Sequence, residues 1–561
     1  MKYIVPEGVD KASSVALRCV HDTLNDLLIG TLSDPIYHLA SFEPGSGKTA
    51  TLCGFLKAWK FAGFVPANGA LIVLSTHKEI QDCIVRSGLD PADFAVLIAK
   101  DKELSEMGRI DHQAAPVLFT TQEKLRRLCD GQPSFAAVEA LHFLGQPRRL
   151  RVWDEAFLPA TGEIIRKDTL LSPLEDLRPV APIVAASLDA LGDSLGVDRA
   201  GQVVEVPTAS KAAYTALKAR YGEQQSERWR PLIGLAGRQA LIVHGGGHGL
   251  YLAGPGRTLP TDFAPALILD ASGRVRETYG TMEANGILRR LPEAHANYSR
   301  LRVHHWDRAA SRSTLMDPKA RQEVLQAAAE AINDSGDQEE PWLVIHPKAR
   351  ASDGYDAFKE LSGLITNPQR LTSLHWGNHH GTNDYRHIRK VLVLGLWRLP
   401  EPAYAALHAA AGGCLATAAD RATLDTIRDG EHRHNLLQAI CRSSVRNWTD
   451  GLCGECEVFL VGRLGKEGKQ LLQKTFPGAR VGDWTPVNKE RPQALQRLIQ
   501  ALEDAFAPVG VTRVQKGAVR ASLGLQSGEA LAKVVRREDF RSWAVQRGIR
   551  VTTRAFEMQR I

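Results

Sequence analysis

The chain has 561 residues, 44% of them hydrophobic and 24% charged, with a formal net charge of +7. That length is enough for several domains, each burying its own core, and the composition is that of an ordinary water-soluble protein. No apolar run approaches the roughly 18 residues of a membrane span, and eight dispersed cysteines do not read as a disulfide framework.

The start, Met1-Lys2-Tyr3-Ile4-Val5-Pro6-Glu7, lacks the basic-then-apolar order of a secretory signal. With the dispersed cysteines, this fits a reducing cytoplasm. A helix is expected over 11–28, within an N-terminal segment 1–30, leading into an apolar strand at 36–40. Next comes Ser41-Phe42-Glu43-Pro44-Gly45-Ser46-Gly47-Lys48-Thr49, followed by a helix-compatible run over 49–59. This strand–loop–helix context marks a phosphate-binding loop. After Pro44, Gly45 and Gly47 let the backbone turn its N–H groups, with those of Ser46 and the helix start, toward one anion. Lys48 would reach the β- and γ-phosphates of a nucleoside triphosphate, and Thr49 would give its hydroxyl to Mg²⁺.

Further strands are expected at 70–75, 94–99, 117–120 and 151–153, alternating with helical patterns. That alternation implies a parallel sheet with covering helices. The last strand ends in Asp154-Glu155. Asp154 would hold Mg²⁺, and Glu155 would orient and deprotonate the attacking water. Residues 158–260 interrupt the pattern with helices at 183–195 and 210–221 and a glycine-turn hairpin, 241–244 with 250–252. His244 and His248 flank that turn, which does not hold the helical spacing a metal pair needs.

A second α/β domain is expected over 281–465, with strands at 301–305, 343–346, 371–376, 391–396 and 458–461. Gln438, Arg442 and Arg446 stand at i, i+4 and i+8. On a helix they share one face, and two always-charged guanidinium forks facing one way suit a phosphate. Cys453-Gly454-Glu455-Cys456 is the one Cys-x-x-Cys; without two further ligands at paired spacing it reads as a free-thiol turn. A connector is expected over 466–510. Residues 511–561 hold eleven Lys or Arg against four acids. Short helices expected at 518–523, 528–535 and 537–546 suggest a small helix–turn–helix-like unit with a nucleic-acid footprint.

Taken in order, these parts resemble the motif series of superfamily 2 helicases of the DEAD/DEAH-box type. The phosphate loop is similar to their motif I, and Asp154-Glu155-Ala156-Phe157 to their Asp-Glu-Ala-x box. The stretch 71–78 resembles motif Ia, 117–125 the following Thr-Thr motif, and 267–272 motif III. The stretch 342–348 resembles motif IV, Gly381-Thr382-Asn383-Asp384-Tyr385 motif V, and 438–446 motif VI. The resemblance implies two tandem RecA-like P-loop domains: 31–280, carrying the 158–260 insertion, and 281–465, with a small helical C-terminal module. It implies ATP and Mg²⁺ as cofactors, with Gly381 and Asn383 lining the nucleotide cleft. Gln438, Arg442 and Arg446 would act from the second domain, with Lys48 and Glu155 catalytic in the first. Thr76, Lys78, Thr120 and Thr121 would hold a nucleic-acid backbone, DNA before RNA. The implied activity is that of an ATP-driven helicase or translocase. The alternatives are a DNA-stimulated ATPase that remodels nucleoprotein without unwinding and a nucleotide-switched signalling ATPase. Three positions depart from the family pattern: Phe42 replaces a small residue, Cys441 replaces a glycine, and Arg446 comes one residue late.

Overall fold

The computed structural model describes residues 11–558 apart from 246, 248, 295–296, 351–352, 379–383, 414, 416–420, 487–492, 508–510, 526, 538–539, 542 and 545–546. The chain divides into two compact units, one up to residue 484 and one from 485 onward.

The first unit holds two all-parallel sheets. One has seven strands in the order Leu288–Arg290, Tyr37–Ala40, Ala266–Leu269, Leu150–Asp154, Ala70–Leu74, Val117–Thr121, Phe94–Leu97. Two of its interior strands, Ala266–Leu269 and Ala70–Leu74, are apolar throughout, as a parallel sheet covered on both faces favours. Alternate side chains serve the two covers. Ile72, Leu74, Val152 and Leu267 pack against Leu52, Leu56 and Trp59 of the helix Lys48–Phe61. Leu71, Val73, Trp153 and Ile268 pack against Phe157, Phe263 and Tyr279. The N-terminal helix Lys11–Ile29 buries Leu17, Val20, Leu24 and Leu28 in the first of these cores. It is therefore part of this domain and not a separate segment. The apolar spacing of three and four residues puts that stripe on one face.

The second sheet has six strands in the order Leu371–His375, Trp342–His346, Lys390–Leu394, Cys456–Val461, Leu301–Trp306, Arg480–Asp483. Two boundaries differ from the sequence reading. The strand Leu288–Arg290 belongs to the first sheet, pairing with Tyr37–Ala40. The helix Gly468–Thr475 and the strand Arg480–Asp483 complete the second sheet, so the expected connector begins inside a domain. Both missed strands lie at sheet edges, and Arg480–Asp483 is mostly exposed; neither carries an apolar run to mark it.

The 158–260 insertion forms its own four-stranded sheet, in the order Ala160–Arg166, Leu250–Thr258, Gln239–His244, Val203–Glu205. The expected hairpin is there, with His244 opposite Leu250; His248 lies outside the described residues. The sheet packs on the alanine-rich helix Glu401–Ala410 of the second domain. Contact is so close that a Cβ on Gly162 would lie 3.2 Å from the backbone of Ala406.

The second unit is not purely helical. The helix Gln493–Phe506 and two shorter helices share a core with a three-stranded antiparallel sheet, in the order Arg513–Gln515, Ala555–Met558, Ile549–Val551. These strands have three or four residues each, too short to show an alternation. No described helix is long and apolar enough to cross a membrane.

Candidate active site

Both halves of the site grow from the carboxyl ends of parallel strands, where such sheets place their ligands. The strand Tyr37–Ala40 delivers residues 41–47, and Gly45 and Gly47 sit at φ 82° and 101°. Gly47 precedes the helix Lys48–Phe61 without a side-chain cap, so the first helical N–H groups face the cavity as an anion-binding end. Ser46 closes the turn by donating from N and Oγ to the Glu43 carbonyl, at 3.2 and 2.6 Å. The Lys48 ammonium bonds the carbonyl oxygens of Phe42 and, at 3.1 Å, Glu43. It also lies 5.2 Å from the Phe42 ring centroid, so the departure at Phe42 places an aromatic face beside the lysine. Burial pushes the Lys48 pKa down, while Glu155 and Asp154 pull it back.

The strand Leu150–Asp154 ends opposite that loop. Thr49 Oγ1 donates to Asp154 Oδ2 at 3.1 Å. Burial, with the Glu155 charge, pushes the Asp154 carboxyl up to about 8. Burial also raises Glu155, against the opposing pull of Arg442. Glu155 holds φ 72°, a left-handed conformation that costs a non-glycine residue about 1–3 kcal/mol. Its N–H donates to the Leu269 carbonyl at 3.0 Å, which fixes the bend that turns the carboxylate out of the strand.

From the second sheet, the helix Arg421–Ile440 brings Gln438 across the cleft. Its Nε2 donates to Glu155 Oε2 at 3.2 Å, and Arg442 Nη2 donates to Gln438 Oε1 at 2.9 Å. The expectation of one helix face for Gln438, Arg442 and Arg446 fails beyond Gln438. The helix ends at Ile440, and Arg446 closes a 3-10 turn, Ser444–Arg446. The Ser444 N–H, bonded to the Ile388 carbonyl at 2.9 Å, holds that turn against the sheet. The turn absorbs the extra residue, so both arginines still line one cavity of about 710 Å³ with Pro44, Gly45, Gly47, Lys48, Thr49, Asp154, Glu155 and Gln438.

The first unit is a pair of tandem RecA-like domains. Its motifs resemble those of superfamily 2 helicases, and the chain is similar at low identity to several solved structures. An apo structure of XPD matches 82% of this chain and 100% of its own, at 13% identity and a TM-score of 0.45. The DUF1998 helicase MrfA bound to DNA matches over all of this chain and 60% of its own, at 9% identity and a TM-score of 0.35. S. cerevisiae Dbp5 bound to RNA and ADP BeF3 covers 85% of this chain and 94% of its own, at 11% and 0.34. No protein-family model and no curated protein matches the chain.

The interface between the RecA-like domains is tied at several points that the motifs do not mark. Trp448 Nε1 donates to the Pro44 carbonyl at 2.7 Å. A Cβ on Gly45 would lie 2.5 Å from the Arg446 carbonyl oxygen, so glycine is needed for this approach as well as for its φ. Glu43, only 3% exposed, accepts from Tyr298 of the second domain and pairs with Arg274 at 2.9 Å. Arg274 also donates to the carbonyls of Lys474 and Thr475, each at 3.0 Å. Burial raises the Glu43 pKa, opposed by Arg274, Tyr298 and Lys48. Glu43→Ala strands a partly buried guanidinium and a buried hydroxyl at once. Glu43 and Arg274 belong to the same domain, so parting the two domains does not separate them and the loss falls on folding: the thermal unfolding midpoint is expected to drop by several degrees, the equivalent of about 3 kcal/mol, and Tyr298→Phe to lower it by about a third as much. An unchanged midpoint in Glu43→Ala would dispose of this tie.

The residues expected at the nucleic acid separate into two groups. Thr76 and Lys78 are exposed. Thr76 caps the helix His77–Ser87 in a reciprocal box with Glu79, and Lys78 faces Asp384 of the second domain at 3.4 Å. Thr121 caps the helix Gln122–Cys129 and is partly buried. Thr120 is a correction: it is fully buried, and its hydroxyl donates to the Leu97 carbonyl at 2.7 Å. Strand alternation turns it into the sheet. Gln122, not picked out from the sequence, links these loops by donating to Ser75 Oγ at 3.0 Å and the Asp154 carbonyl at 2.8 Å. Arg386 and Arg86, also missed, line the cavity. Gly381 and Asn383 lie outside the described residues. Cys453 and Cys456 are buried free thiols, and no cluster of three metal-ligating side chains occurs among the described residues.

Proposed function

We propose that this chain is an ATP-driven helicase or translocase of superfamily 2 type, acting on DNA in preference to RNA. The observation that carries the reading is the single cavity where the phosphate loop and Asp154-Glu155 of one domain meet Gln438, Arg442 and Arg446 of the other. Residues 44–49 would cradle the triphosphate, with Lys48 leaving the Phe42 and Glu43 carbonyls for the phosphate oxygens. Thr49 and Asp154 would hold Mg²⁺, whose charge would offset that of the phosphates. Glu155 would take the proton of the attacking water, with Gln438 fixing its carboxylate. Arg442, with Arg446 beside it, would meet the charge developing on the transferred phosphoryl group.

Because the two sides of the site belong to different domains, binding and release of the triphosphate would alternately close and open the cleft. Thr76, Lys78 and Thr121, at strand ends near the cleft, are proposed to hold the nucleic-acid backbone. Such contacts carry no base information and suit a motor.

The test is ATP hydrolysis with and without single-stranded DNA, duplex DNA and RNA. Stimulation by DNA is expected, and Lys48→Ala should lower the stimulated rate by about 10²-fold or more. A wild-type rate in Lys48→Ala would end the assignment of the site. Hydrolysis indifferent to every nucleic acid would favour a nucleotide-switched signalling ATPase, and stimulation without strand displacement a remodelling ATPase.

A further inference from the structure

The unit from residue 485 onward follows the order helix, strand, helix, turn, helix, a further helical stretch with helical residues at 540–541 and 543–544, strand, turn, strand. Its first strand, Arg513–Gln515, pairs with the last, Ala555–Met558, and the last with Ile549–Val551. The helices Lys516–Ser522 and Gly528–Val535 are joined by a short turn through Gly524, which takes φ 65°. This is a helix–turn–helix backed by a sheet, with the 552–554 turn projecting as a wing.

The packing shows which faces are spent. Leu495, Leu498, Leu502, Leu531, Phe540 and Phe556 form the core. The helix Gly528–Val535 turns Leu531 inward, while Glu529 and Lys533 are exposed, as is Arg536 just beyond its end. Positions 533 and 536 share one face. Arg550 and Arg554 are exposed on the wing, and Arg520 on the preceding helix. Two other arginines of the unit are neutralised, Arg513 by Glu557 at 3.3 Å and Arg547 by Glu503 at 3.1 Å. Among the described residues, Arg520, Lys533, Arg536, Arg550 and Arg554 form no ion pair. Meanwhile residues 511–561 carry an excess of basic residues as large as the +7 of the whole chain.

We propose that this unit binds duplex DNA. The helix Gly528–Val535 would enter the major groove, with Lys533 and Arg536 facing it. Arg550 and Arg554 of the wing would lie on the neighbouring phosphates. The geometry selects the partner: the major groove of B-form DNA admits a helix, whereas that of an RNA duplex is too deep and narrow. The inference rests on the motor reading for its purpose, giving the motor a grip on duplex, but not for its test.

The test uses the full chain, without nucleotide, and fluorescence anisotropy of a labelled blunt DNA duplex. Reversing two charges, Lys533→Glu with Arg536→Glu, is expected to weaken binding at least tenfold. It should also flatten the slope of log affinity against log salt by about 2, as expected when two phosphate contacts are lost. Arg550→Glu with Arg554→Glu should behave alike. Lys319→Glu with Lys359→Glu, an equal change of net charge at exposed positions of the second RecA-like domain, should leave affinity near that of the parent. Circular dichroism matching the parent ensures that the unit is folded in each variant. Unchanged affinity and slope in both C-terminal variants would overturn the proposal, as would an equal preference for duplex RNA. The two readings fail separately: DNA-stimulated hydrolysis with unaffected duplex binding removes only this one, and charge-dependent duplex binding with unstimulated hydrolysis removes only the motor.

Discussion

Arg442→Ala is expected to lower ATP turnover by about 10³-fold or more, the range for loss of an arginine that meets phosphoryl charge. Its guanidinium is 5% exposed and is held from two directions: Nε donates to the Gln438 carbonyl at 3.2 Å and Nη2 to the Gln438 side chain at 2.9 Å. That double hold aims the fork into the cavity before any ligand arrives, which is how a fixed charge contributes without reorganising. Arg442→Lys should recover little, because an ammonium cannot reproduce the planar fork. A second readout separates a direct role from damage to packing. Arg442 is the strongest influence holding the Glu155 pKa down against burial. Without that cation the charged carboxylate is less favoured, so the Glu155 pKa rises and a higher pH is needed to deprotonate the base. The acid limb of the pH–rate profile should therefore move upward in Arg442→Ala. Turnover within tenfold of the parent, or an unmoved acid limb, would remove Arg442 from the role proposed here.

The parts legible in the sequence are those whose chemistry is local. A phosphate loop needs two glycines, a lysine and a hydroxyl within a few residues, and the carboxylate pair must follow a strand, so residues 44–49 and 154–155 announce themselves. Interior strands such as Ala70–Leu74 and Ala266–Leu269 are equally plain, because burial on two faces favours unbroken apolar runs. What stayed hidden depends on contacts distant in sequence. Trp448 meets Pro44 from 404 residues away, and Tyr298 meets Glu43 from 255; neither pair has a spacing that local chemistry requires. Thr120 misled for a related reason: a hydroxyl at a strand end reads the same whether its side chain faces solvent or, as here, the Leu97 carbonyl. The late position of Arg446 seemed to remove it from the site only while the helix was taken to continue. A turn from Cys441 onward restores it, and nothing in the run Cys441 to Arg446 signals that the helix has already ended.

Breaking the ion pair between Arg276 and Glu431 is expected to act on domain closure. The two groups come from opposite RecA-like domains, are 8% and 7% exposed, and meet in a two-pronged contact at 2.5 and 3.3 Å. Burial disfavours the charged guanidinium, yet Glu431 more than offsets it and holds the Arg276 pKa above its ordinary value. Glu431→Ala leaves that charge buried without its partner, a loss of about 3–5 kcal/mol. A chain with a rigid interface would register the loss as unfolding. In the proposed cycle the domains part and let water reach the arginine, so the cost falls on the closed state, the one that brings Arg442 to Glu155. A shift of about 3 kcal/mol is about 10²-fold in the closed population. The ATP concentration for half-maximal turnover should rise accordingly, with only a small change in thermal midpoint. The neighbouring bridge from Arg433 to Glu277, at 2.5 Å but with Glu277 42% exposed, should matter far less, since water already screens it. Arg276→Met with Glu431→Met removes both charges and fills the space, so it should restore most of the loss. A Glu431→Ala enzyme with the parent's ATP dependence would mean that the contact does not report on closure.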